Sequence, residues 1–90
     1  MLKLISSNQL KKDLKLLAKR NLDLSLLDEI VEKLLRQEAL PKKNKDHALT
    51  GNFIGFRECH IKPDWLLIYR IDEGELILFL SRTGTHSDLY

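Results

Sequence analysis

Side chains suited to acid–base and phosphate chemistry are concentrated in the last third of this chain. His60 and Asp64 bracket Ile61-Lys62-Pro63, and Trp65 follows at once. Arg82-Thr83-Gly84-Thr85-His86 forms a second group, and Tyr90 lies beyond it. Upstream, Lys45-Asp46-His47 adds a third imidazole. These residue types meet the needs of RNA cleavage without a metal. RNA carries its own nucleophile, the 2′-OH, whose attack on the adjacent phosphorus leaves a 2′,3′-cyclic phosphate and a 5′-OH. The reaction needs a base for the 2′-OH, an acid for the departing 5′-oxygen and positive charge on the phosphorane oxygens. Histidine suits the two proton-transfer roles because its ordinary pKa of about 6.5 lies near neutrality. Each such role typically contributes ~10²–10⁴ in rate. Arginine matches a phosphate bidentately and stays charged.

His86 leads the catalytic candidates. It follows a Thr83-Gly84-Thr85 segment that reads as flexible, past the last apolar run, where a core-filling role has little to pack against. Removing Ser87 to Tyr90 is therefore expected to spare the fold. His60 and Asp64 flank a Pro-containing corner and project together at one sheet end. Asp64 can orient an imidazole, fix its tautomer or take a proton, or it can simply be a turn residue. His47, in a polar loop, reads as a phosphate contact or proton-transfer group. Arg82 reads as the stabiliser of transition-state charge; its alternative is a strand-end ion pair. Trp65 and Tyr90 offer faces for base stacking, although Trp65 can equally fill a core. Arg57 is assigned to a phosphate or to a neighbouring carboxylate. The residue types do not separate acid from base. No H-x₃-H or C-x₂-C spacing is present and the one cysteine, Cys59, has no partner, so neither a metal nor a cofactor is expected.

The elements that must carry these groups read from periodicity. Leu2 to Ile5 is a short apolar strand. Ser6 and Gln9 have capping-box spacing, and Leu10, Leu14, Leu17 and Ala18 recur on one helical face. Ser25 with Asp28 opens a second helix striped by Leu27, Ile30, Val31, Leu34 and Leu35, with Asp28 and Glu29 in its first turn and Pro41 closing it. Lys42 to Asn52 is a basic loop. Phe53 to Ile61, Trp65 to Ile71 and Glu75 to Ser81 read as strands, with Gly55 a bulge and Asp72-Glu73-Gly74 a tight turn. The fold class is α+β, in the order β-α-α-β-β-β. The last three strands form an antiparallel meander, and an αα-hairpin packs on one sheet face.

Ninety residues make one domain, 1–90. A chain of this size buries only roughly 60–65% of the surface exposed when unfolded, so polar groups held near its core call for an explanation. With 43% hydrophobic and 31% charged residues it falls among ordinary soluble domains. No apolar run approaches a membrane span, and no signal-peptide pattern opens the chain. The lone cysteine fits a reducing cytoplasm. The net charge of +2 conceals a segregation: residues 1–20 carry six Lys/Arg against one Asp, and residues 21–40 carry two against five carboxylates. Lys11, Lys12 and Lys15, with Lys45 in the loop, are candidate contacts for RNA phosphates. Their alternative is a solvated helix face.

Three stretches in this order, Lys45-Asp46-His47-Ala-Leu-Thr-Gly51, Arg57-Glu-Cys-His60-Ile-Lys-Pro-Asp64-Trp65-Leu-Leu-Ile-Tyr69 and Arg82-Thr-Gly-Thr-His86-Ser-Asp-Leu-Tyr90, resemble the YafQ-like branch of the RelE/ParE toxin superfamily. These are toxins of bacterial type II toxin–antitoxin systems, and the likeness spans essentially the whole chain. It implies a sheet with two helices on one side and the active site on the other. It further implies ribosome-dependent cleavage of mRNA, with His86 as general acid. The last position is often Phe in such relatives; Tyr90 keeps the aromatic face and adds a hydroxyl. The resemblance also implies a cognate antitoxin with a partly disordered segment that folds onto the toxin, and mRNA and the ribosome as further partners. Two other readings remain open. One is a non-catalytic inhibitor like the ParE branch, which blocks DNA gyrase. The other is a passive RNA-binding module. Neither needs the His60/Asp64/His86 set.

Overall fold

The computed structural model describes residues 1–90. The chain runs β1 (Lys3–Ser6), α1 (Asn8–Lys19), α2 (Leu24–Leu35), β2 (His47–Ala48), β3 (Arg57–Lys62), β4 (Trp65–Asp72), β5 (Ile77–Gly84) and α3 (His86–Leu89). Two 3₁₀ turns, Lys42–Asn44 and Gly51–Phe53, punctuate the polar loop. The five strands lie in the order β1-β5-β4-β3-β2. β3, β4 and β5 form the expected antiparallel meander, and β1 pairs parallel with β5.

The helix stripes do what their spacing predicts. Leu10 and Leu17 of α1, and Leu27, Ile30, Val31 and Leu34 of α2, are buried in one core with Cys59, Leu67, Tyr69, Leu78 and Leu80 from the sheet. Each fully buried Leu or Ile of this kind stabilises by about 1.5–3 kcal/mol. Side chains alternate across a strand, so the intervening β4 residues Leu66 and Ile68 face the other way. They form a smaller cluster with Leu89, against which Leu49, Phe53 and Phe56 pack.

Several boundaries move, each for a local reason. The α1 cap is Ser7, not Ser6. Its hydroxyl accepts from the Leu10 N–H at 2.9 Å and donates to the Ser81 carbonyl at 2.6 Å, so one side chain starts the helix and ties it to β5. Asp23, not Ser25, caps α2, accepting from the Ser25 N–H at 3.1 Å; Asp28 and Glu29 consequently lie past the first turn. α2 ends at Leu35, well before Pro41, with Gln37 in the left-handed region at φ 56°. β3 begins only at Arg57. The preceding Gly51–Phe53 turn and Gly55, at φ 92°, make a loop rather than a strand bulge. β5 begins at Ile77 and runs on to Gly84, three residues past the apolar run.

That extension carries an irregularity the site depends on. Tyr69 pairs with Leu80 and Ile68 with Arg82, which leaves Ser81 as an extra residue in β5. Strict alternation from Leu78 and Leu80 would send Arg82 to the helix-covered face. The inserted residue reverses the phase, placing Arg82 on the face of Ile68 and Thr83 on the face of Leu67.

Candidate active site

The open face of the sheet, opposite α1 and α2, collects three imidazoles. Glu58 and His60 of β3 pair with Ile68 and Leu66 of β4 and share their face. His47 of β2 pairs with Glu58. Beyond β5, Thr85 caps α3 in a capping box with Asp88, which places His86 at the first helical position. The ring centroids of His60 and His86 are 5.8 Å apart, and those of His47 and His60 are 6.5 Å apart. The three rings form a row.

Each imidazole is held by its Nδ1. His86 Nδ1 lies 2.6 Å from Asp64 Oδ1, which also accepts the His86 backbone N–H at 3.0 Å. His60 Nδ1 faces the Pro63 carbonyl at 3.2 Å, and His47 Nδ1 the Lys45 carbonyl at 2.6 Å. These partners are acceptors, so each Nδ1 is the donor and each Nε2 is left for chemistry. The two hydrogen bonds from His86, backbone first and then side chain, hold the Asp64 carboxyl below the usual carboxylate range. Asp64 therefore stays anionic and orients His86.

Glu58 is a site residue that sequence reading missed. It is buried, at 5% exposure, on the face where the imidazoles gather. Its Oε1 lies 3.7 Å from His47 Nε2 and 3.9 Å from His60 Nε2, and its Oε2 accepts from the Tyr90 hydroxyl. Burial, and then the Glu58 carboxylate, push the Tyr90 hydroxyl up to about 12, so it remains a donor throughout the neutral range. The signal available in the sequence was alternation: Glu58 is two residues before His60 in one strand and must share its face.

Arg82 shares the open face with this row through its pairing with Ile68, and it too is positioned by a residue that was not anticipated. Asp13 of α1, 7% exposed, accepts from Arg82 Nε at 2.9 Å, from an Arg82 terminal nitrogen at 3.1 Å and from the Thr83 N–H at 3.1 Å. Burial alone would raise the Asp13 carboxyl. The hydrogen bonds from Arg82, Gln9 and Thr83 outweigh it, and the net shift is downward. Asp13 occupies the free edge of β5 where β1 has ended. Nearby, Arg20 clamps Asp88 through bonds of 2.7 and 3.1 Å, fixing α3 to α1.

Trp65 and Arg57 each take the alternative to RNA contact, and two expectations about the end of the chain are corrected. Trp65 is 2% exposed, and its indole N–H donates to Thr83 Oγ at 3.0 Å, so it fills the helix-side core and presents no face to a base. Arg57 points to the opposite side of β3 from Glu58 and His60, and its Nε pairs with Asp46 at 3.3 Å, where the Tyr69 hydroxyl also bonds. Thr83 and Gly84 are buried strand residues, not a flexible tether. Leu89, 8% exposed, covers Leu66 and Ile68, so the terminal segment is part of the fold that removal of Ser87 to Tyr90 would damage. Tyr90 itself is 61% exposed, with its ring centroid 5.8 Å from that of Phe53 in an edge-to-face arrangement. Lys11, Lys12, Lys15 and Lys45 are all exposed. Cys59 is fully buried, and burial pushes its thiol up to about 12, so it is an inert core group.

The fold is thus a small α+β sheet with a helical hairpin on one face and a histidine row on the other. The family model described as "Bacterial toxin of type II toxin-antitoxin system, YafQ" matches residues 2–90, and the chain belongs to that family. An mRNA interferase toxin YafQ of Escherichia coli K12 is 40% identical over 85 residues, 93% of this chain and 90% of that relative. The crystal structure of a metal-bound toxin from Helicobacter pylori superposes with a TM-score of 0.94 at 48% identity, covering 100% of both chains. YafQ in the E. coli DinJ–YafQ complex superposes with a TM-score of 0.90 at 36% identity, covering 100% of this chain and 99% of that one. In this chain no group of three His, Cys, Asp or Glu side chains is arranged to hold a metal ion. No helix is long and apolar enough to cross a membrane.

Proposed function

We propose that this chain is the toxin of a type II toxin–antitoxin pair and cleaves mRNA by 2′-OH attack on the ribosome. The observation that carries the reading is the Asp64–His86 pair, 2.6 Å between carboxylate and Nδ1, with the His60 ring 5.8 Å from that of His86. Two imidazoles at this separation can serve the 2′-oxygen and the 5′-oxygen of one phosphodiester. His60, its Nδ1 tied to a carbonyl, takes the 2′-OH proton on Nε2. The 2′-oxygen bonds to phosphorus as the bond from phosphorus to the 5′-oxygen breaks. His86, its imidazolium stabilised by Asp64, gives a proton from Nε2 to that leaving oxygen. Arg82 is aligned by Asp13 to offset charge on the phosphorane oxygens. Glu58 steadies His47 and His60, and His47 with the exposed lysines draws in the message.

The products are a 2′,3′-cyclic phosphate and a 5′-OH. The ribosome would hold the message in the reactive geometry, acting in the cytoplasm where translation occurs. The similarity to YafQ in its complex with DinJ supports a cognate antitoxin for this chain, with a segment that orders as it binds. The test is end-group mapping of mRNA after purified protein is added to a translating extract, beside naked RNA and His86→Gln. New cyclic-phosphate and 5′-OH ends that disappear with His86→Gln are expected. An absence of cleavage in both settings would turn the reading toward a gyrase-type inhibitor.

A further inference from the structure

The chain has five arginines, and four are in ion pairs: Arg20 with Asp88, Arg36 with Glu32 and Glu38, Arg57 with Asp46, and Arg82 with Asp13. Arg70 is the exception. Its guanidinium carbon lies 5.4 Å from the centre of the Phe56 ring and 5.5 Å from that of Phe79, and no carboxylate engages it. The two rings, 6.5 Å apart and inclined at 58°, make a floor for the cation. Arg70 is exposed while both rings are half-buried, so the guanidinium lies over the rings at the surface, open to solvent.

Its place on the sheet matters as much as its company. Arg70 follows Ile68 by two residues in β4 and therefore shares the open face with Glu58, His60 and Arg82. It lies about 6.5–7 Å along the strand from the level of Arg82. Phe79 is its direct neighbour in β5, and Ile5 pairs with Phe79 from β1, 38% exposed. A row of Ile5, Phe79, Arg70 and Phe56 thus crosses the sheet beside the histidine row. A surface arginine with no other task gains by meeting a carboxylate. Here the chain instead holds the group against two rings, with its donors unspent, on the face that carries the histidine row.

We propose that Arg70, floored by Phe56 and Phe79, is a subsite for a single-stranded RNA nucleotide flanking the scissile phosphate. The base stacks on the outer plane of the guanidinium, and an N–H edge meets that nucleotide's phosphate. The inference rests on the RNA-cleaving reading above and adds a binding residue to it. A base is favoured over an acidic peptide because the two rings and the guanidinium together offer π surface, on which a base can stack and a carboxylate cannot.

The experiment compares wild type, Arg70→Ala, Arg70→Lys, Phe79→Leu and His86→Gln. Cleavage in the translating extract is followed against message concentration. Binding of a short RNA with one 2′-deoxy sugar is followed by fluorescence anisotropy across a salt series. Arg70→Ala raises the half-saturating message concentration about tenfold. Its plateau rate stays within about twofold of wild type. Its salt slope falls by about one. Arg70→Lys restores the slope but only part of the affinity, and Phe79→Leu weakens binding at an unchanged slope. Thermal melting and capture of the antitoxin stay as in wild type.

Wild-type half-saturation and slope in Arg70→Ala, with His86→Gln inactive, would overturn the subsite and leave the ribonuclease standing. A fallen plateau at unchanged half-saturation would overturn it in favour of a role in the chemical step. Lost antitoxin capture with intact cleavage would assign Arg70 to the protein partner instead. No RNA cleavage by wild type in any setting would remove both the subsite and the reading beneath it.

Discussion

The two faces of this five-stranded sheet are built on opposite principles. The helix-covered face is apolar, and its polar groups serve packing: the indole N–H of Trp65 meets Thr83 Oγ, which in turn donates to the Leu66 carbonyl at 2.7 Å. The open face carries only Leu66, Ile68 and Leu89 as a buried apolar pad, and surrounds them with ionisable groups. One face supplies rigidity and the other uses it. Neighbouring residues of one strand divide between the tasks: Cys59 and Leu67 face the helices, while Glu58, His60, Leu66 and Ile68 face the site. An unpaired charge on the first face would be an uncompensated burial; Arg57, at its edge, is paired with Asp46. On the second, charges are held by partners that leave one working atom free.

Substitutions can break or sharpen this contrast. The largest effect is expected from His86→Gln, which removes the proposed acid from an exposed position. Cleavage should fall by about 10²–10⁴ while melting is unchanged, as end-group mapping and thermal denaturation will report. Trp65→Ala is its counterpart on the covered face. It should cost about 3–5 kcal/mol of stability in urea titration, because it empties a core site. A wild-type urea midpoint for this variant would contradict the division of labour.

Gly84→Ala probes the seam between the faces. An added Cβ would lie 2.8 Å from Asp88 Oδ2, at a backbone φ of 157°. α3 must shift, and His86 moves with it. We expect a loss of about 1–3 kcal/mol. A reduction in cleavage exceeding that of a core variant of equal stability would mark displacement of His86.

Asp13→Asn tests whether α1 reaches the site through Arg82. The variant should lose about 1–3 kcal/mol at neutral pH, because Arg82 and the Thr83 N–H keep only a weaker acceptor. The folded Asp13 carboxyl titrates below its ordinary value. Its stabilisation is therefore full above about pH 4 and is lost as pH falls through the depressed value. The stability gap between wild type and variant should close on acidification. A gap that persists in acid would show that the carboxylate charge is not what matters.

The smallest effect belongs to Tyr90→Phe. It keeps the ring against Phe53 and removes the hydroxyl from Glu58, so cleavage should change by no more than about threefold. A large loss would promote the Tyr90–Glu58 bond to a part of the mechanism.

Much of this was legible before folding. The amphipathic spacing of Leu10, Leu14 and Leu17, and of Leu27, Ile30, Val31 and Leu34, sufficed to place the helical hairpin. The apolar run from Trp65 to Ile71 marked β4 as a strand of the antiparallel meander. His60, Asp64 and His86 stood out because such groups serve no core. Trp65 misled because an aromatic beside a site has the same letter whether it stacks on a ligand or on a leucine; only its side of β4 decides, and Pro63 obscures where the alternation starts. Asp13 and Glu58 were passed over because an isolated carboxylate in a helix or a strand carries no local mark of its partner.

The sequence by itself determined the two long helices and the four main strands, which stripes are buried and which residue types are available for proton transfer. These follow from periodicity and side-chain chemistry, both local. Tertiary structure decided which groups meet. Asp64 finds His86 across 22 residues, Tyr90 finds Glu58 across 32, and Asp13 finds Arg82 across 69. The decisive step is one extra residue at Ser81: a strand has a period of two, so a single insertion turns Arg82 from the core face to the site face, and only pairing with β4 reveals where that insertion falls.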